Sequence, residues 1–406
     1  MDIGPIWRAM LRNKAGFVLI ALQIAVTMTI MVNAFAIMQE RAKNAGRESG
    51  MDEANTFAFA SASFAEYDRE VMKTLIDEDL ALIRGLPGVK SAVATNSFPL
   101  RQGGWSMGLQ LEPGSASTDT VSTAIYFVDE HGVDTFASTI IDGNNFAPNQ
   151  ISWQVEDDNS WPAVGIITAA LAKEMFPDEA GSVVGKTVYV NDNDPVNIIG
   201  VLDRLQAPWE GWTGVERTML VPQRRTSEFQ RYVVRTEPGY RDTLMPEVEE
   251  LLSNSNKDRI IRDITTMEQV RKLAYLGDTA MIKILTFVVI LLTIITGLGI
   301  VGLASFNVSR RTRQIGIRRA LGATKHAIVR YFMVENLIVS GIGLVIGAIL
   351  SVALNMAMVE AFALEPLAWY VIPVAMVALL SVGQAAVAGP ARKASNITPA
   401  IATRSI

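Results

Sequence analysis

Four apolar stretches decide most of what this chain can become. They cover residues 15–38, 284–308, 333–358 and 367–390, and Glu335 is the only charged residue among them. Crossing the hydrocarbon of a bilayer takes about 20 residues. A helix in the core of a soluble protein keeps a charged face at helical spacing, and these stretches have none. Each is therefore expected to span a membrane. Arg8, Arg12 and Lys14 precede the first stretch and Ala34-Phe35-Ala36 lies near its end, as in a signal peptide. Its apolar run exceeds the ~7–15 residues of a signal core, so an uncleaved anchor is expected.

Charge sets the expected orientation. Segments 1–14, 309–332 and 391–406 hold thirteen basic residues against Asp2 alone, whereas the stretch from 39 to 283 holds 37 acids and 23 bases. Basic short loops stay in the cytoplasm, and long domains are exported largely regardless of charge. Both termini and the 309–332 loop are thus expected inside, with a short 359–366 loop and one large domain outside. An acidic domain lacks the basic surface that phosphate backbones require, so nucleic acid is not an expected partner. Without cysteine there is no disulfide framework and no thiolate metal site.

Within the large domain, 39–266, strands are expected at 56–63, 89–97, 106–111, 121–128, 163–168, 183–190, 196–202, 216–222 and 229–235. Helical patterns lie at 67–85, 168–176 and 240–254, which together predict an α/β or α+β fold. The Asn/Asp/Gln-rich stretch 142–162 reads as an exposed loop. Residues 267–283 keep helical spacing through Met267, Val270, Leu273 and Leu276, predicting a stalk helix continuous with the second span.

Three strings imitate parts of an ATPase. Ala180–Thr187 (AGSVVGKT) resembles a phosphate loop, but such a loop follows a strand and opens a helix. Here a helical pattern precedes it and a strand pattern follows. Ile125–Glu130 precedes that string, the reverse of the usual order for an Mg²⁺-holding strand. Leu380–Gln384 (LSVGQ) falls inside the fourth span. No nucleotide, cofactor or metal site is expected, and His131 and His326 would lie on opposite sides of the membrane. Without a nucleophile triad or metal set no catalytic residue is expected, which disfavours a membrane-anchored hydrolase. Trp209 and Trp212, in a Pro/Gly-flanked loop, are read either as anchors of that loop or as a partner-contact point.

The loop 309–332 carries most of the functional information. Arg311, Gln314, Ile315 and Arg318 recur on one side of a short helix, and Ile317, Ala320 and Leu321 form an apolar patch on the other. Gly322 suits a helix C-terminus and Thr324 the N-cap of the next. A basic loop that only set topology would need neither the break nor the patch. Glu335 is expected to face protein or the interface, because a carboxylate is costly in lipid. Gly297, Gly299 and Gly302, with Gly343 and Gly347, offer small faces for close helix packing.

The string Arg311–Thr324 (RTRQIGIRRALGAT), with Arg330, Glu335 and Gly343-x-x-x-Gly347, resembles the MacB/FtsX-type ABC permease family. Phe176-Pro177-Asp178, Val184–Thr187 and Ile198–Val201 are similar to that family's periplasmic core domain. Pro390–Ala394 and Pro399 resemble its usual ending. The resemblance implies a coupling helix that docks on a cytoplasmic ABC ATPase through Arg311, Arg313, Gln314, Ile315, Gly316, Ile317, Arg318, Arg319, Ala320, Leu321 and Gly322. It also implies a bacterial inner-membrane location, a second permease as homo- or heterodimer partner, and ATP used only through the ATPase, which would be a separate chain. A periplasmic adaptor and outer-membrane channel belong to the same picture. The expected function is mechanotransmission for export of a small molecule, peptide or lipid-linked cargo. A lipoprotein-releasing permease and an FtsX-like regulator of a periplasmic hydrolase are the alternatives.

Overall fold

The computed structural model describes residues 14–114, 120–154, 161–190, 193–227, 229–362 and 366–398. Arg8, Arg12, Glu365, Pro399 and Arg404 lie outside these. The chain divides into two compact units, one of residues 46–276 and one built from the segments on either side.

The first unit is the α/β domain. Its elements run β1 (Thr56–Ser63), α2 (Arg69–Arg84), β2 (Val89–Thr95), β3 (Trp105–Leu109), β4 (Val121–Phe127), α3 (Gly132–Thr135), β5 (Ile140–Gly143), β6 (Ser152–Trp153) and β7 (Val164–Thr168). They continue through α4 (Ala169–Met175), β8 (Thr187–Val190), β9 (Asp194–Leu202), β10 (Thr218–Val221), β11 (Gln223–Arg224), β12 (Phe229–Thr236), α5 (Arg241–Ser255), β13 (Arg259–Thr266) and α6 (Met267–Ala274).

Strands β13, β1, β12 and β2 form an antiparallel sheet in that order. Each half is a strand, a helix and a non-adjacent strand (β1-α2-β2 and β12-α5-β13), the split β-α-β arrangement. Alternation along β1 sends Phe57 and Phe59 toward the helices, where they meet Ile76, Leu80 and Ile83 of α2 and Leu244, Val248 and Leu252 of α5. Asp68 caps α2 by accepting from the Val71 amide at 2.9 Å. On the buried face of α2, Asp79 accepts from Arg259 at 2.5 Å and from the Tyr232 hydroxyl at 2.7 Å. Burial and the Asp79 charge push the Tyr232 hydroxyl well above its ordinary pKa, so it stays a donor.

The chain between β2 and β12 forms a second, mixed sheet of seven strands, ordered β3-β4-β10-β7-β9-β5 with β8 also paired to β9. Its core is apolar and includes Ile125, Phe127, Ile167, Val188 and Ile198, with Leu171 and Met175 of α4. The stretch 142–162 is not simply a loop: it holds the end of β5, paired to β9, and β6, which pairs with β11. Strand β13 also escapes the alternation rule, because Arg259, Arg262 and Asp263 interrupt its apolar pattern. Nor is the stalk continuous. Helix α6 ends at Ala274, and Tyr275, with φ of −92° and ψ of 16°, interrupts the run before Leu276.

The second unit holds α1 (Lys14–Ala45), α7 (Leu276–Arg310), α8 (Thr312–Ala320), α9 (Lys325–Phe362) and α10 (Val371–Ser395). All but α8 are long and apolar enough to cross a membrane. Helix α1 packs along α9. A methyl group on Gly343 would sit 2.7 Å from the Ala21 carbonyl oxygen, and one on Gly347 would sit 3.0 Å from that of Ala25. Polar pairs tie α1 to its neighbours: Asn33 donates to the Ser351 carbonyl of α9 at 3.4 Å, and Thr27 meets Thr296 of α7 at 2.8 Å. Such contacts hold helices together where the surroundings are as apolar as the side chains.

Candidate functional site

The connection from α7 to α9 is built from local backbone rules upward. Helix α7 ends at Arg310, and Arg311 leaves helical geometry with φ −103° and ψ 9°. Helix α8 then runs for nine residues before a Schellman ending. The Ala323 amide donates to the Arg318 carbonyl at 3.0 Å and the Gly322 amide to that of Arg319 at 3.2 Å. Gly322 has φ +94°, a conformation that a Cβ strains. Thr324 caps α9 by accepting from the Ala327 amide at 3.2 Å.

Two contacts lock α8 from behind. Ile315 is buried in a cluster with Val308, Ile328, Phe332, Ala391 and Ala394. Nη1 of Arg311 donates to both carboxylate oxygens of Glu335, at 3.0 and 2.9 Å, and the two side chains are 16% and 13% exposed. Charge-assisted bonds of this kind are among the strong ones. Arg318 lies over the Tyr331 ring at 4.9 Å, and Lys325 donates to Asn396 at 2.8 Å.

What remains outward is a mixed face. Ile317 is 50% exposed and Leu321 83%, with Arg313, Gln314, Arg318 and Ala320 also exposed. The structure thus separates residues that the sequence pattern groups together. Ile315 belongs to the anchor and not to the outward side, Gly316 is buried beside it, Arg311 is engaged by Glu335, and Arg319 is partly covered, donating to the Ala323 carbonyl at 3.1 Å. The Arg311–Glu335 pair spans 24 residues, and only the costliness of Glu335 in lipid hinted at it. Among the glycines, Gly343 and Gly347 meet α1 and Gly299 lies against Gln23. Gly297 has only ordinary contact with Val382, and a methyl on Gly302 would meet nothing within 4 Å.

The ATPase-like strings serve structure. After Gly185 the chain enters β8 and not a helix, and Lys186 is held by Glu179 and lies 4.8 Å from the Phe176 ring. Asp129 is buried and accepts from Arg84 at 2.7 Å and Arg224 at 2.9 Å. The string 380–384 lies within α10. Among the described residues no group of three or more His, Asp or Glu could hold a metal. Trp209 and Trp212 stack edge to face at 5.9 Å, half-buried.

Residues 286–399 match the FtsX-like permease C-terminal family. The chain is 28% identical over 344 residues to the macrolide export ATP-binding/permease protein MacB of Brucella abortus, covering 82% of this chain and 49% of that protein. It is 24% identical over 339 residues to the uncharacterized ABC transporter permease YknZ of Bacillus subtilis, covering 82% and 79%. It thus spans about half the length of the MacB relatives and most of YknZ. The periplasmic region of MacB from Actinobacillus actinomycetemcomitans superposes with a TM-score of 0.34 at 15% identity, covering 57% of this chain and 97% of that one, a likeness too loose to argue from.

Proposed function

We infer that this chain, an ABC transporter permease of the MacB/FtsX type, receives a separate cytoplasmic ATPase on α8 and passes its motion to the α/β domain. The observation that carries the reading is the outward face of α8. Leu321 and Ile317 stand open to solvent beside Arg313 and Arg318, while Ile315 and the Arg311–Glu335 pair fix the same helix to its own bundle. A short helix held rigidly on one side and apolar on the other can transmit a push, because packed elements shift as units. This reading places α8 and both termini in the cytoplasm and the α/β domain outside. A second permease completes the assembly, and no ATP site is needed on this chain.

The MacB relatives are named for macrolide export, and export is the activity proposed here. Its cargo would be a small molecule, peptide or lipid-linked compound taken from the outer side, handed to an adaptor and an outer-membrane channel. Co-purification with the candidate ATPase tests the docking face. Leu321→Asp is expected to abolish ATPase recovery and coupled ATP hydrolysis while leaving membrane insertion intact. Wild-type recovery with Leu321→Asp, or hydrolysis by the purified chain alone, would overturn the reading.

A further inference from the structure

One cavity in the α/β domain gathers features that the packing of neither sheet requires. It measures about 440 Å³ and lies wholly within residues 46–276. Its floor is made of small side chains: Ala58 and Ala60 of β1 alternate with the Phe57 and Phe59 that face the helices. Leu100 from the loop after β2 and Leu273 of α6 supply apolar walls. Arg101 and Arg231 bring two guanidinium groups into the same space.

The backbone around it is strained in a concerted way. Four described non-glycine residues have φ in the left-handed region, and three of them line this cavity: Leu100 (66°), Gln102 (64°) and Asp263 (58°). Such conformations persist where the surroundings enforce them, and they cluster at ligand sites. Hydrogen bonds from the Leu100 and Gln102 amides to the carbonyls of Ala207 and Pro208, at 3.4 and 2.9 Å, hold the loop in place. Asp263 is the extra residue of a bulge, since β13 pairs Thr265 with Ala58 but Arg262 with Ala60. Bulges of this kind re-aim side chains beside functional sites.

Charge points to the occupant. Neither Arg101 nor Arg231 forms an ion pair within 4 Å among the described residues; the Asp263 carboxylate, 3.9 Å from Arg262, lines the same cavity and acts on both at longer range. Among the described residues Nη1 of Arg101 donates to the Gly103 carbonyl alone, at 3.2 Å. Burial holds both guanidiniums below their ordinary pKa, the Arg231 charge lowers Arg101 further, and the Asp263 charge offsets part of this at each. Two half-buried cations sharing one carboxylate above an apolar floor, with Arg262 beside it, leave positive charge that an anion completes.

We propose that this cavity binds a small amphipathic anion, with its carboxylate or phosphate between Arg101 and Arg231 and its apolar body on Ala58, Ala60, Leu100 and Leu273. The volume falls within the ~300–1,000 Å³ of ordinary small-molecule sites. Binding here needs no ATPase, so the proposal stands or falls separately from the docking of α8.

The test is calorimetric titration of the full chain in lipid nanodiscs, with empty nanodiscs subtracted, against octanoate, octyl phosphate and octylammonium. Saturable binding of one or both anions, and none of octylammonium, is the expected result. Octanoate alone would assign a carboxylate head, octyl phosphate alone a phosphate. Arg101→Gln should weaken the anion by roughly tenfold or more, since a hydrogen bond to a charged partner is lost. Leu273→Glu should do the same by repulsion, and because Leu273 is 69% exposed the change leaves the fold intact. Heat no larger than that of empty nanodiscs, equal binding of octylammonium, or affinities unchanged in both variants would overturn the proposal.

Discussion

Residues 46–276 exclude water with large side chains: Phe57, Tyr126, Phe136 and Tyr232 are all fully buried. In the helical unit the buried positions are mostly smaller, among them Ala21, Ala25, Ala304, Ala375 and Ala391, and α1 meets α9 over Gly343 and Gly347. The difference follows from the solvent each unit meets. In water, roughly 25 cal/mol is gained per Å² of apolar surface buried, so bulk is rewarded. Lipid is as apolar as leucine, and there only close approach and hydrogen bonding distinguish a helix contact from a lipid contact. Polar contacts within the apolar span of α1 follow the same division. The α/β domain buries a full ion pair under its helices, whereas α1 uses Asn33 and Thr27 for neutral hydrogen bonds.

The comparison is sharpest at the buried pair. Asp79→Ala would leave the Arg259 guanidinium buried without its carboxylate, at a cost of about 3–5 kcal/mol. Denaturant unfolding followed by tryptophan fluorescence reads this, and a loss below 1 kcal/mol would mean that water reaches Arg259. Next comes the helix contact. Gly347→Val is expected to destabilise the bundle by about 1–3 kcal/mol through overpacking against Ala25 and Met28. Gly302→Ala, with open space around it, should stay within about 0.5 kcal/mol. Equal effects of the two in detergent unfolding would erase the distinction drawn between the units.

A smaller effect is expected at the Arg311–Glu335 pair. A double-mutant cycle with Arg311→Ala and Glu335→Gln should give a coupling of about 1 kcal/mol. Zero coupling would remove that brace from α8. The smallest stability change belongs to Leu321→Asp, within about 0.5 kcal/mol, because the side chain is 83% exposed. A large loss of stability there would mean that Leu321 supports the fold and is not a docking residue.

The spans of the apolar helices, the Gly322 ending and the Thr324 cap could all be read from the sequence. Each is a local matter of run length or of one residue's backbone preference. Most strands of the α/β domain could be placed the same way, β1 at Thr56–Ser63 among them. Strand β13 could not, because its charged residues serve distant partners: Arg259 reaches Asp79, 180 positions away. The break at Tyr275 was equally hidden, since Met267–Leu276 keeps its helical spacing across it. Half of the α8 pattern was legible. The patch of Ile317, Ala320 and Leu321 could be told apart from Ile315, but not that Ile315 and Arg311 anchor the helix while Gln314 and Arg318, grouped with them in the pattern, stay exposed.

The sequence by itself determined four membrane-length helices, an α/β domain between the first and second, and a capped basic helix between the second and third. These rest on composition and on interactions within a few residues. Tertiary structure alone decided that Arg311 meets Glu335, that Asp79 meets Arg259, and that Arg101 and Arg231 share a cavity with strained residues from separate segments. Those pairings join positions far apart in the chain, and only the order of strands and the packing of helices brings them within reach.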